Sequence, residues 1–421
     1  MAQVKLGYGK SQINFAFDEN RFQVLGEKAD ARRLSDAEIG ERLDNPIDSK
    51  TIEEIISPDE TVLIVVPDAT RHAAAGQIVN LIVRRLIANG TNAANISIIF
   101  ATGIHRAVTE AEKREILTEF IAQRVKNFNH DAKDLASIRR FGETRRGIPI
   151  ELNRAVAEYD RIIIVGGVNF HYFAGFSGGR KMICPGLGSS RTINETHRLA
   201  FDCERKTRRA GVGAGLLAGN AVHEEFVEIV EKINPSFAVN SIVNEAGAAT
   251  EIFAGNWKTS HARACDFYAA NHTVEIAEKR EIIVVSCGGF PSDLNMIQAH
   301  KALDAAASAC ADGGTIIFLA KCADGLGRNN FLKWFAAKDS AELAEVLCEK
   351  YQVNGQTAWS LLKKAENFNV RIVTNLSEAE TSRMRLDKAP DLETAMSKID
   401  AEKKGYILPN GAKFLIKPKF Y

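Results

Sequence analysis

The sequence predicts an α/β protein with two doubly wound, parallel-sheet domains. Three observations lead there. Apolar runs recur at TVLIVVP (61–67), NISIIFATG (95–103) and RIIIVGG (161–167), and runs this continuous suit strands covered on both faces. Amphipathic stretches at helical spacing separate them, such as GQIVNLIVRRLIANG ending at Gly90. The alternation resumes at EIIVVSC (281–287), so a chain of 421 residues divides into two domains.

Residues 3–25 alternate apolar and polar side chains around Gly7 and Gly9, with Ile13, Phe15 and Phe17 on one face. That pattern predicts a small antiparallel ribbon. The charged, mixed segment from Glu27 to Asp59 predicts short surface helices. Thr109 and Glu112 are spaced as a capping box for the helix after the second strand. Residues 198–280 read as mostly helical, WKTSHARACDFYAANHTVEIAEKR being a long connecting helix that ends the first domain. The expected domains are therefore 1–275 and 276–404, both Rossmann-like, with 405–421 returning to the first. In the second, a helix over 294–309 follows GGFPSD, then a strand TIIFLAKC (315–322), a helix around 339–350 and a strand VRIVTN (370–375).

Hydrophobic and charged fractions of 45% and 25% are those of a soluble globular protein. A net charge of +1 argues against nucleic acid or an anionic membrane as the main partner. Seven cysteines (184, 203, 265, 287, 310, 322 and 348) form no C-x-x-C pair, and their odd, scattered count fits a reducing compartment better than a disulfide scaffold. The stretch MAQVKLGYGKSQINFAFDEN lacks the apolar core of a secretory signal, and runs such as VLIVV are too short to span a bilayer. A cytoplasmic protein is expected.

The chemistry concentrates between His171 and His197, HYFAGFSGGRKMICPGLGSSRTINETH, which follows a predicted buried strand. Five glycines permit positive φ and close approach of a ligand to the main chain, while two imidazoles and one amine supply a metal ligand, a proton carrier and a nucleophile. The plainer alternative is a structural loop whose glycines only make turns. Asp68, Arg71, His105 and His171 each lie just beyond the C-terminal end of a predicted parallel strand, the edge at which open α/β sheets bind ligands. GFSGGRK is not a P-loop, because Arg180 stands where that motif needs Gly. GAGLLA (213–218) has no strand before it, HEEFV (223–227) lacks a second His, and the cysteine spacings suit no zinc site. Gln298 and Lys301 share a helix face behind Asp293 as N-cap. There Lys301 opposes the helix dipole, a cost that a bound carboxylate would offset; the alternative is a solvated helix surface. His130, His223, His261 and His272 read as structural.

DATR (68–71), ATGIHR (101–106), HYFAGFSGGRK (171–181), PG-x(5)-TI-x(2)-TH (185–197) and IQAHK (297–301) together resemble the nickel-dependent lactate racemase family. The resemblance runs from LGYGK near the N-terminus to about residue 375. It implies a 2-hydroxyacid racemase or epimerase with its active site in the cleft between two domains. It also implies a nickel-pincer nucleotide, nickel pyridinium-3,5-bisthiocarboxylic acid mononucleotide, tethered covalently to Lys181. His197 is then the nickel ligand, His105 and His171 the acid/base pair, and Arg71, Gln298 and Lys301 the substrate-holding residues. Asp68 would contact the cofactor, and Ser177, Gly178 and Gly179 would receive its phosphate. The implied partners are a small 2-hydroxy acid and the proteins that build the cofactor, with no nucleic acid and no membrane. Two positions depart from the family pattern: Ile297 stands where an aromatic residue is expected, and the expected cofactor-side Trp has two candidates, Trp334 and Trp359. A nucleotide-dependent 2-hydroxyacid dehydrogenase and a non-catalytic nickel or nucleotide carrier are the rival functions.

Overall fold

The computed structural model describes residues 1–26 and 31–419. Residues 27–30, within the stretch expected to form surface helices, lie outside the described residues, as do the last two. The chain forms two compact units, one of Asp30–Ala200 with Gly211–Tyr268, the other of Met1–Ala29, Phe201–Ala210 and Ala269–Tyr421.

In the first unit Val62–Pro67 is buried at all six positions. Its side chains alternate between two apolar clusters, Ile64 and Val66 entering one and Leu63 and Val65 the other, so both faces of the sheet are covered. This is why the run carries no polar alternation. The sheet order is Ala249–Gly255, Phe237–Val243, Arg161–Gly167, Val62–Pro67, Ile96–Ala101, Lys126–Asn129. All are parallel except the antiparallel edge strand Ala249–Gly255. The chain builds outward from Val62–Pro67 in one direction and later from its other side, so strand order reverses between Val62–Pro67 and Arg161–Gly167. Helix Ala75–Ala88 packs Ile78, Val79, Ile82, Val83 and Leu86 onto the sheet at helical spacing. The capping box at Thr109 is present and opens helix Glu110–Leu117.

The second unit carries a parallel six-stranded sheet ordered Asp387–Ala389, Asn369–Val373, Cys310–Leu319, Arg280–Ser286, Gly405–Leu408, Phe22–Val24. The N-terminal ribbon pairs Ala2–Tyr8 with Ser11–Phe17. Among the described residues no helix is long and apolar enough to cross a membrane.

Several expectations are corrected. Residues 198–280 are not mostly helical: Phe237–Val243 and Ala249–Gly255 are strands, and the expected long helix is Thr259–His272 followed by strand Thr273–Ile276. FAVNSIV is a short apolar run whose periodicity suits a buried strand or a buried helix equally, and pairing with Arg161–Gly167 decides it. The segment at 405–421 does not return to the first unit, because Gly405–Leu408 pairs with Arg280–Ser286 and Leu415–Pro418 with Thr273–Ile276. Residues 1–26 and 201–210 also leave the expected first domain. The helix expected over 294–309 is two, Met296–Ala299 and Ala302–Ala309, and Asn295 caps the first. Asp293 lies two residues before that cap, and its Oδ2 instead accepts from the Gly9 and Lys321 N–H groups. The cysteines are not all thiols, since Cys203 and Cys348 form a disulfide.

Candidate active site

Strands Arg161–Gly167, Val62–Pro67 and Ile96–Ala101 are neighbours in the first sheet. His171, Asp68 with Arg71, and His105 therefore emerge from adjacent C-terminal ends, where strand order reverses and a crevice opens. Asp68 begins a turn closed by the Arg71 N–H on its carbonyl. Its carboxylate is 5% exposed and fully engaged. Oδ1 accepts from the Thr70 N–H at 2.9 Å and the Thr70 hydroxyl at 2.6 Å, and Oδ2 lies 2.6 Å from His105 Nδ1. Burial alone would raise this carboxyl. The charge and hydrogen bond of His105, then Thr70 and Arg71, outweigh it and hold the group at about 2. Asp68 therefore makes an orienting contact with His105.

The long loop is built around Phe173. Its ring lies 4.5 Å from the His171 ring and 4.9 Å from the His197 ring, centroid to centroid, and 5.7 Å from Lys181 Nζ. Two imidazoles and the amine, separated by up to 26 positions in the chain, therefore surround one phenyl group. His171 Nδ1 accepts the Ala174 N–H at 3.3 Å, which in the neutral ring places the proton on Nε2. His197 ends helix Ser190–Arg198, whose N-cap Ser189 accepts the Thr192 N–H. Burial, with the charges of Lys181 and His105, pushes His197 down to about 3 against a backbone hydrogen bond at Ile193. A neutral, oriented imidazole is the form that ligates a metal.

The glycines serve the turn more than a phosphate. Gly179 has φ +47°, and a Cβ there would sit 2.4 Å from the His261 ring. Its N–H donates to Asn240 Oδ1 at 3.0 Å. The Ser177 N–H donates to the Asn169 carbonyl, and its hydroxyl to the Gly167 carbonyl at 2.8 Å. The N–H groups of Ser177 and Gly179, expected to receive a nucleotide phosphate, here close the loop on itself. Gly178, at φ +70°, packs against Val168.

Gln298 and Lys301 lie on the other compact unit. Gln298 is buried and its Oε1 accepts from Lys301 Nζ, but the two lie on no single helix, since Lys301 stands in the turn between Met296–Ala299 and Ala302–Ala309. Trp359 is a core residue against Phe201 at 5.0 Å, and Trp334 packs on the same core. His130 is buried, with Nε2 2.9 Å from the Gly188 carbonyl. Sequence reasoning missed Phe173, Thr70, Asn240 and the backing role of His261. Asn240 had a signal, as the one amide inside the apolar run FAVNSIV. Thr70 had one too, two residues after an Asp in a turn. Phe173 had none.

The family described as lactate racemase N-terminal domain matches residues 8–208, and that described as lactate racemase C-terminal domain matches residues 276–416. The chain is 29% identical to the lactate racemase of Thermoanaerobacterium thermosaccharolyticum, covering 100% of both chains. It is also 29% identical to that of Lactiplantibacillus plantarum, over 99% of this chain and 100% of the relative. The solved lactate racemase apoprotein from T. thermosaccharolyticum superposes with a TM-score of 0.89 at 28% identity, over 99% of this chain and 100% of that one. A Thermotoga maritima protein shares the fold at a TM-score of 0.71 and 20% identity, over 93% and 100% of the two chains.

Proposed function

The chain belongs to the lactate racemase family, and on that premise we propose that it interconverts the mirror-image forms of a small 2-hydroxy acid. The observation that supports this most is the gathering of His171, His197 and Lys181 around Phe173, together with His105 held by Asp68 at 2.6 Å. The residues fit a nickel-pincer nucleotide: Lys181 would tether it and His197 would ligate its nickel. Among the described residues no three His, Cys, Asp or Glu side chains gather to hold a metal ion, so nickel here would need donors beyond the protein's own. When bound, such a group supplies an electron-poor ring able to take a hydride from the substrate carbon and return it to either face.

The protein's own residues do the rest. Asp68 keeps the His105 proton on Nδ1, leaving the Nε2 electron pair to take the substrate hydroxyl proton. His171, with Nδ1 accepting from Ala174, carries its proton on Nε2 and begins as the donor on the opposite face. Two imidazoles in complementary states match a reaction whose two directions are mirror images. Arg71 clamps the substrate carboxylate, and Gln298 and Lys301 are further substrate-holding residues. Lactate heads the substrate panel because the relatives carry that name. Ile297, in place of an aromatic residue, argues for including bulkier and more polar 2-hydroxy acids.

The test uses cofactor-loaded protein and C2-deuterated 2-hydroxy acids followed by optical rotation, without added NAD. Racemisation with deuterium retained at C2 is expected. His105→Ala and His171→Ala should each lose about two orders of magnitude in rate. Stoichiometric NAD consumption, or full rate in either variant, would reject the two-histidine scheme.

A further inference from the structure

A cavity of about 350 Å³ in the first unit has Arg180 in its wall and takes no part in the chemistry proposed above. Arg145, Arg180 and Lys258 match its three glutamates in number, but the pairing leaves Arg180 out. Three glutamates line it, and each is committed to a cation at the rim. Glu228 accepts from Arg145 Nε at 3.1 Å, Glu231 from Lys258 at 2.8 Å, and Glu224 from Arg146 at 3.1 Å. Arg180 is 1% exposed, and among the described residues no carboxylate pairs with it. Its guanidinium donates to the Ala174 carbonyl at 2.6 Å and lies 3.1 Å from His261 Nε2, while its buried Nε has no partner. His261 Nε2 is also 2.8 Å from the Ser177 carbonyl. In the tautomer that donates to Ser177 it cannot accept from Arg180, which leaves the guanidinium one firm acceptor. His223, in the same wall, has a buried Nδ1 with no partner.

A buried guanidinium without a counter-ion is the costly case for a protein interior. The sign of the missing group is therefore negative. The rest of the wall sets its shape, because Leu217, Val227, Trp257 and Ala262 are apolar. A multiply charged inorganic anion would leave that surface uncovered, whereas a carboxylate with a short alkyl body covers it.

We propose that this cavity is a binding site for a small monocarboxylate, its carboxylate toward Arg180 and His223 and its alkyl part against Leu217, Val227 and Trp257. Arg180 immediately precedes Lys181 in the Gly179–Met182 turn. Occupancy would then stiffen the turn that carries the amine, which makes the site a place where metabolite carboxylates regulate the loop.

The experiment titrates butyrate into protein made without cofactor, following melting temperature and tryptophan emission. A saturable rise in melting temperature is expected, with an emission change that Trp257→Phe abolishes. His223→Leu should weaken butyrate at least about tenfold, and Ala262→Phe, which fills the cavity, should remove binding. Arg71→Ala should leave the affinity unchanged, which separates this site from the substrate site and makes the outcome independent of the proposed reaction. The proposal is overturned if wild-type protein shows no saturable response. It is equally overturned if Arg71→Ala, and not the cavity variants, loses the response, or if phosphate or chloride produces it and butyrate does not. Should Ala262→Phe fail to fold, His223→Leu and the Trp257 signal still decide.

Discussion

Asp68 spends one carboxylate oxygen on His105 and the other on Thr70, so its orientation is fixed from both sides. In Asp68→Asn the two Thr70 donors keep the amide oxygen, and the NH₂ must turn to His105 Nδ1. The imidazole proton then moves to Nε2 and the base is lost. A rate loss of about two orders of magnitude is expected, with the fold intact. Because racemisation has an equilibrium constant of one, kcat/KM must fall equally for both enantiomers. A loss confined to one direction would contradict racemisation. The same carboxylate also ties stability to acid. Its folded value, about 2, lies below the ordinary 3.8, so its contribution is fully present above pH 3.8 and lost as pH falls through 2. That contribution is on the order of 2 kcal/mol, measurable as the difference between wild type and Asp68→Asn in denaturant titrations across that window.

The Gly179–Met182 turn and helix Ser190–Arg198 are the elements that carry Lys181 and His197. Their sequences differ in how much they reveal. SSRTINETH announces a capped helix, and Ser189 does cap it. GFSGGRK announces only flexibility, yet the N–H groups of Phe176, Ser177, Gly179 and Lys181 all donate to acceptors within the unit. Two substitutions separate these cases. Ser189→Ala should cost about 1 kcal/mol, the worth of an N-cap. Gly179→Ala should cost more, because it combines positive φ with a Cβ 2.4 Å from the His261 ring. Denaturant unfolding ranks the two, and equal costs would mean that the turn is looser than its contacts imply.

At the scale of the whole molecule, each compact unit holds a buried histidine that resists protonation. Burial first, then nearby cations, takes His223 down to about 3 in one unit and His300 to about 3 in the other. Unfolding frees both toward the ordinary 6.5, so the unfolded chain binds more protons between those limits. Stability is full above pH 6.5 and declines as pH falls toward 3, by up to about 1.4 kcal/mol per pH unit for each group. A melting-temperature series should be flat above pH 7 and fall below 6.5, with a shallower fall in His300→Gln. The Cys203–Cys348 disulfide spans 145 residues and closes within the second unit. Thiol titration of unfolded, unreduced protein should count five free cysteines. Reduction should lower the melting temperature, by a cost of up to about 4 kcal/mol.

The sequence by itself determined the α/β class, the strands Val62–Pro67, Ile96–Ala101 and Arg161–Gly167, and the family. Continuous apolar runs can be buried in few ways, and the motifs sit at the strand ends where ligands bind. Tertiary structure alone decided that FAVNSIV is a strand, that residues 405–408 complete the second sheet, and that Cys203 meets Cys348. These depend on which distant segment offers a hydrogen-bonding edge or a second sulfur, and local periodicity carries no record of that. The same holds within the site. Asp68 could be read as a polar residue after a strand, but its commitment to His105, 37 positions on, rests on the intervening chain folding back. Phe173, the ring around which the reactive groups gather, looks in sequence like any other core aromatic.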